Sequence, residues 1–120
     1  MILVDSSVWI DHFESGNAIL SAMLEEHRVL MHPFVAGELA GGVLPGRRAE
    51  VLAGLRELPQ APVAEHAEVM HLIEGRKLSG SGVGWVDAHL LASALIGSVP
   101  LWSQDRALLR AAQRLQVAFR

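Results

Sequence analysis

Apolar residues in this chain arrive in short bursts, and their period changes from one burst to the next. Residues 1–4 are continuously apolar and few, which predicts a short buried strand. Residues 19–26 carry a helical spacing, and 28–32 ("RVLMH") read as a second strand. Pro33 suits the first position of a helix that runs to Gly41 and Gly42, and "LPG" at 44–46 marks a turn. Residues 47–58 predict an amphipathic helix stopped by Pro59, and "QAPV" at 60–63 a short edge strand. A long helix is expected over 64–78, ended by "SGSGVG" at 79–84. Residues 86–96 are apolar nearly all round, which predicts a buried helix. "VPLWS" at 99–103 reads as a strand, 106–115 as a helix, and "VAF" at 117–119 as a last strand.

Short apolar strands alternating with helices imply an α/β fold whose parallel sheet is covered on both faces. Residues 1–120 contain no repeat, linker or low-complexity tract, so a single domain is expected. In such folds ligands bind beyond the carboxyl ends of the strands. Asp5 stands at that end of the first strand, and Asp105 just beyond the strand at 99–103.

Composition changes this picture little. The chain is 51% hydrophobic and 19% charged, a globular balance. It has no cysteine, which excludes disulfides and thiolate metal sites. No apolar run is long enough for a membrane span, and no secretory signal is visible, so no membrane partner and a cytoplasmic location are expected. Net charge is −3, which supplies no bulk basic surface for nucleic acid. The six histidines include no pair at zinc-like spacing with a third ligand nearby.

The placement of charge is more informative than its sum. Between Arg28 and Arg47 the only charged residue is Glu38; between Lys77 and Asp105 it is Asp87; before Asp11 it is Asp5. Taken singly, each acid has a plain role open to it. Asp5 could satisfy backbone donors in the following turn, and Glu38 could reach water at a helix edge. Asp87 could complement a helix dipole, and Asp105 could cap the helix that starts at Arg106. Together they share a different explanation. A lone carboxylate in apolar surroundings costs several kcal/mol or stays protonated. A divalent cation, a hard ion that prefers oxygen, would pair several at once.

Four segments carry these acids in order: "LVDSSVWID", "HPFVAGELAGG", "GVGWVDAHLLASAL" and "LWSQDRALLRAA". The pattern resembles the PIN domain, and specifically the VapC-type toxin nucleases of bacterial toxin–antitoxin pairs. The last segment is similar to the family's closing Thr-x-Asp motif, here Ser103-Gln104-Asp105, with the hydroxyl kept. The resemblance implies a three-layer α/β/α fold with a central, mostly parallel sheet. It implies a Mg²⁺- or Mn²⁺-dependent endoribonuclease acting on an RNA substrate, a homodimer, and a cognate VapB-type antitoxin. The catalytic set it implies is Asp5, Glu38, Asp87 and Asp105. Asp5 and Asp87 are expected as direct metal ligands, and Asp105 and Glu38 as ligands through water or to a second ion.

Ser6 and Ser103 are candidates to orient acids or waters by hydrogen bonds. Phosphate contacts are sought at Arg47 and Arg48, at Arg76 and Lys77, and at Arg106 and Arg110, although a solvated helix face is the commoner fate of such residues. Trp9, Trp85 and Trp102 are expected in the core more readily than under a stacked base. His89 could contact RNA but is read first as a polar surface residue, and Asp11 and His12 are read as solvated helix residues. A haloacid-dehalogenase-like phosphatase needs an acid at position 7, where Ser7 stands, and a response regulator needs a paired acid after the first strand. "GSGVG" at 80–84 lacks the dinucleotide-loop spacing. The rival of another class is a non-catalytic PIN-like module that binds RNA or protein, against which the intact acids argue.

Overall fold

The structure is a computed structural model that describes residues 1–120. The elements run β1 (Ile2–Val4), α1 (Ser6–Ser15), α2 (Ala18–Glu25), β2 (Val29–Leu30), α3 (Pro33–Ala40), α4 (Arg48–Glu57), α5 (His66–Gly75), α6 (Trp85–Gly97), β3 (Leu101–Trp102) and α7 (Arg106–Arg114). The strands form a parallel sheet in the order β2-β1-β3. Leu3 sits opposite Leu30 on one side and Leu101 on the other. Ile2, Leu3 and Val4 are all buried. Successive strand residues point to opposite faces, so helices cover both sides of the sheet and the layering is α/β/α.

The two expected outer strands shrink to single bridges. Gln60 pairs with Met31, and Ala118 with Leu101, both in parallel sense. Pro59 and Pro62 lack N–H groups, which confines the 60–63 segment to one rung. Most helices fall within two residues of their expected bounds. Asn17 caps α2 by accepting the Leu20 N–H at 3.0 Å. The helix expected over 64–78 is shorter: α5 starts at His66 and stops at Gly75, with Lys77 in a left-handed conformation at φ 55°. The hydrophobic pattern assigns no bounded element to residues 6–15, where the structure has α1. α6 is buried along its middle and carries seven buried residues, as its all-round apolar sequence requires. No helix is long and apolar enough to cross a membrane.

Candidate active site at the carboxyl ends of the strands

The register between β1 and β3 builds the first half of the site. Val4 pairs with Trp102, and the Asp5 N–H donates to the Trp102 carbonyl at 2.9 Å. Asp5 and Ser103 therefore leave the sheet side by side. Asp5 is only 4% exposed. Its Oδ2 accepts two short bonds, from Ser7 Oγ and from Ser103 Oγ, each at 2.8 Å. Each hydroxyl also accepts a backbone N–H: Gln104 donates to Ser7 Oγ at 2.9 Å and Asp105 to Ser103 Oγ at 3.0 Å. A hydroxyl has one proton. With its lone pairs turned to the backbone donors, that proton is aimed at Asp5. The carboxylate is thus locked in orientation by a frame whose members are almost a hundred residues apart in sequence. Its Oδ1 is engaged only by Ser6 Oγ, at 3.5 Å.

Asp105 caps α7, its Oδ1 accepting the Leu108 N–H at 3.0 Å. The plain reading of this residue is therefore correct, and it accounts for one carboxylate oxygen. The residue remains exposed beside the site.

The second half comes from helices. Asp87 lies in the first turn of α6, half-buried. Its pKa is raised to about 6, first by burial, then by the charges of Asp5, Asp105 and Glu38, while the Gly84 backbone N–H opposes the shift. Glu38 stands on α3 with its carboxyl also pushed up, by loss of water and then by Asp5, against a hydrogen bond from the Ser6 hydroxyl. Ser6 thus stands between Asp5 and Glu38, and one proton can serve only one of them at a time.

The structure therefore brings all four acids into one electrostatic neighbourhood without a compensating cation. The two ion pairs in the protein, Arg28 with Glu26 and Arg47 with Glu50, are elsewhere and exposed. No three of the carboxylates converge to the spacing of a complete metal shell. The donor set is all hard oxygen, and it fits a cation that keeps several waters and takes only one or two carboxylates directly, as Mg²⁺ does.

Sequence reasoning passed over Ser7 except to exclude another family. The available signal was a hydroxyl two residues beyond a strand-end acid, where side chains commonly fold back on the turn. Four other expectations change. His89 is 5% exposed and packed between aromatic rings, not a surface residue. Asp11 is half-buried, its Oδ2 accepting from Asn17 Nδ2 and Gln104 Nε2, both at 3.2 Å. His12 is also half-buried, its Nδ1 accepting the Asn17 N–H at 3.1 Å. Trp9 and Trp102 do pack into or against the core, but Trp85 is 38% exposed.

The candidate phosphate contacts separate into three groups. Arg48 donates to the carbonyls of Gly42 and Ala40 at the end of α3, and Arg47 pairs with Glu50 at 3.4 Å, so both are engaged. Arg106 and Arg110 are exposed one turn apart on α7, next to Asp105. Arg76 and Lys77 border a surface hollow with Arg114, whose guanidinium donates to the Arg76 carbonyl at 2.6 Å. That hollow lies toward the far end of α7, about 12 Å from Arg106 by helix rise. Arg114 extends the Arg106–Arg110 row by one more turn.

Residues 2–114 match the PIN domain family, and the chain belongs to that family. It is 44% identical over 119 residues to Ribonuclease VapC32 of Mycobacterium tuberculosis, in strains CDC 1551 / Oshkosh and H37Rv alike, spanning 98% of this chain and 95% of the relative. The fold is similar to the crystal structure of PAE2754 from Pyrobaculum aerophilum, with a TM-score of 0.59 over 96% of this chain and 88% of that one, at 18% identity.

Proposed function

We infer that this protein is an endoribonuclease of the VapC type, the toxin of a VapBC-type toxin–antitoxin pair, and that it hydrolyses RNA phosphodiester bonds with Mg²⁺ or Mn²⁺. Near-full-length similarity to a protein named a ribonuclease supports the activity. The observation that carries the chemistry is the gathering of Asp5, Glu38 and Asp105 around Asp87, which helps raise its pKa to about 6, with neither ion pair of the protein among them. A non-catalytic module would gain nothing from such repulsion.

Asp5 and Asp87 are the proposed direct ligands, and Glu38 and Asp105 hold waters or complete a second position. Bound there, a divalent cation supplies a Lewis acid that activates water and offsets charge on the transferring phosphate. Asp5 contributes orientation, because Ser7 and Ser103 fix its plane before any ligand arrives. Asp87 contributes charge held against repulsion: burial and three neighbouring carboxylates raise its pKa to about 6, and a positive ion would offset them. Asp105 has one oxygen committed to its helix cap, which suits it to a water-mediated role. Arg106 and Arg110 provide positive charge where the RNA backbone would approach the acids. The products would be a 5′-phosphate and a 3′-hydroxyl.

The VapB-type antitoxin and the homodimer belong to the same proposal. Exposed Ile19, Met70 and Ile96, and a groove of about 720 Å³ between α5 and α6, offer apolar surface for such partners. A cytoplasmic location follows from an RNA target.

The test is RNA cleavage by purified protein with Mg²⁺, with Mn²⁺ and with chelator, beside Asp5→Asn. Metal-dependent cleavage that the variant lacks supports the reading. Equal cleavage by both proteins, or no metal bound by the wild type in calorimetry, would remove it.

A further inference from the structure

Five aromatic rings, His32, Phe34, His89, Trp85 and His66, form a row without any role in the chemistry above. His89 packs edge-on against Phe34 on one side and Trp85 on the other, with ring centroids at 4.6 and 4.7 Å and interplanar angles of 65° and 82°. His66 lies against Trp85 at 4.9 Å, which carries the row onto α5. The supporting imidazole is 5% exposed, yet Phe34 and Trp85 keep 36% and 38% of their surface open. Rings that served only to pack α3 against α6 would be expected to close over each other. Here two imidazoles, His32 and His89, are the buried members, and both apolar rings keep open surface.

The buried His89 Nδ1 has no hydrogen-bond partner. The ring acts as an aromatic wedge that sets the attitude of its two neighbours.

Position decides what the row is for. Phe34 stands one helical turn before Glu38 on the same face of α3. Trp85 opens α6 two residues before Asp87. Phe34 therefore shares a helix face with Glu38, while Trp85 turns to the His89 face of α6 at the same helix end that carries Asp87. No Lys or Arg belongs to the row, so it offers π-faces rather than phosphate contacts. Exposed aromatic faces beside a phosphodiester-cleaving site suit an unstacked base.

We propose that Phe34 and Trp85, braced by His89 and His66, form a stacking subsite for a nucleobase of the RNA strand cleaved at the acid cluster. This rests on the ribonuclease reading. It makes Trp85 and Phe34 substrate-binding residues, and it favours single-stranded or looped RNA over a continuous duplex.

The experiment uses the full chain with Asp5→Asn to prevent cleavage, and a short single-stranded RNA carrying a fluorescent adenine analogue whose emission falls on stacking. Trp85→Ala and Trp85→Phe are compared in that background, and thermal melting is followed in parallel. The expected result is an affinity loss of about tenfold for the alanine variant, disappearance of the quenching, and recovery of most of both with phenylalanine. In the cleavage-competent protein, Trp85→Ala should raise KM and leave kcat nearly unchanged. Parent-like binding and quenching in Trp85→Ala would overturn the subsite, as would a loss that phenylalanine does not restore in a folded protein. A wild type that neither binds nor cleaves RNA would instead bring down the ribonuclease reading beneath it.

Discussion

The strand half and the helix half of the acid site treat their carboxylates in opposite ways. Asp5, at the end of β1, is more deeply buried than Asp87 at the start of α6, yet it receives two hydroxyl protons at 2.8 Å. Asp87 faces three other carboxylates with one backbone N–H to offset them. Burial alone does not decide how comfortable a charge is; the donors around it do. The strand half is prearranged, and the helix half is held short of neutralisation. A cation would add little order to the first and would relieve the second.

The largest blow to this contrast is Asp5→Asn. It removes the oriented anion on which the strand half is built, and cleavage should fall by at least ~10³-fold, the equivalent of about 4 kcal/mol in the barrier. A single-turnover assay at saturating Mn²⁺ that shows less than a tenfold loss would contradict the assignment. Next come Ser7→Ala and Ser103→Ala. Each takes away a charge-assisted bond to Asp5 and strands a backbone N–H, so activity or metal affinity should drop roughly 10–100-fold. Ser103→Thr keeps the hydroxyl and should stay within a few-fold of wild type. If alanine at both positions left activity intact, the locked orientation of Asp5 would be irrelevant.

The helix half can be probed through pH. His32 is fully buried at the start of α3, where its Nδ1 accepts the Phe34 N–H at 3.0 Å. Its pKa is lowered to about 4, first by burial and then by His89. The unfolded chain therefore binds more protons between about pH 6.5 and 4, and stability is full above that window and lost as pH falls through it. The loss should approach roughly 3 kcal/mol, read from denaturant midpoints measured across the window. A flat midpoint would exclude a buried neutral imidazole there.

Asp87 has the opposite sign. Its pKa lies above the unfolded value, so in metal-free protein the protonated form stabilises the fold below about pH 4, and that contribution disappears as pH rises through about 6. At neutral pH the penalty should be about 1–3 kcal/mol, reduced by the solvent that still reaches the group. Asp87→Asn should accordingly melt several degrees higher than wild type without metal, and Mn²⁺ should stabilise the wild type more than the variant. A variant that melts lower, or gains as much from Mn²⁺, would break the contrast between the halves. The smallest expected effect is Ser6→Ala. Its proton is shared between Asp5 and Glu38, and removal should change cleavage only a few-fold, most visibly as a further rise in the Glu38 pKa.

Much of this was legible in the amino-acid order. Strand-end acids and isolated charges are local signals, and a parallel α/β sheet follows from the period of the apolar bursts. The same locality explains the misses. Polar side chains such as His12 and His89 looked solvent-facing because helix periodicity does not say which neighbours will cover a ring. The 60–63 and 117–119 segments read as strands, but their length as ladders depended on partners and prolines in register.

By itself, then, the order of residues determined the α/β frame, put Asp5 and Asp105 at strand ends and marked Glu38 and Asp87 as isolated acids, because periodicity and charge isolation are written within a few positions of one another. Tertiary structure alone decided that Ser7 and Ser103 would converge on one oxygen of Asp5, that His89 would be buried while Trp85 stayed open, and that Asp87 would carry the repulsion. Those outcomes depend on distances between residues tens of positions apart, and only the packed sheet and its helices bring such residues within reach.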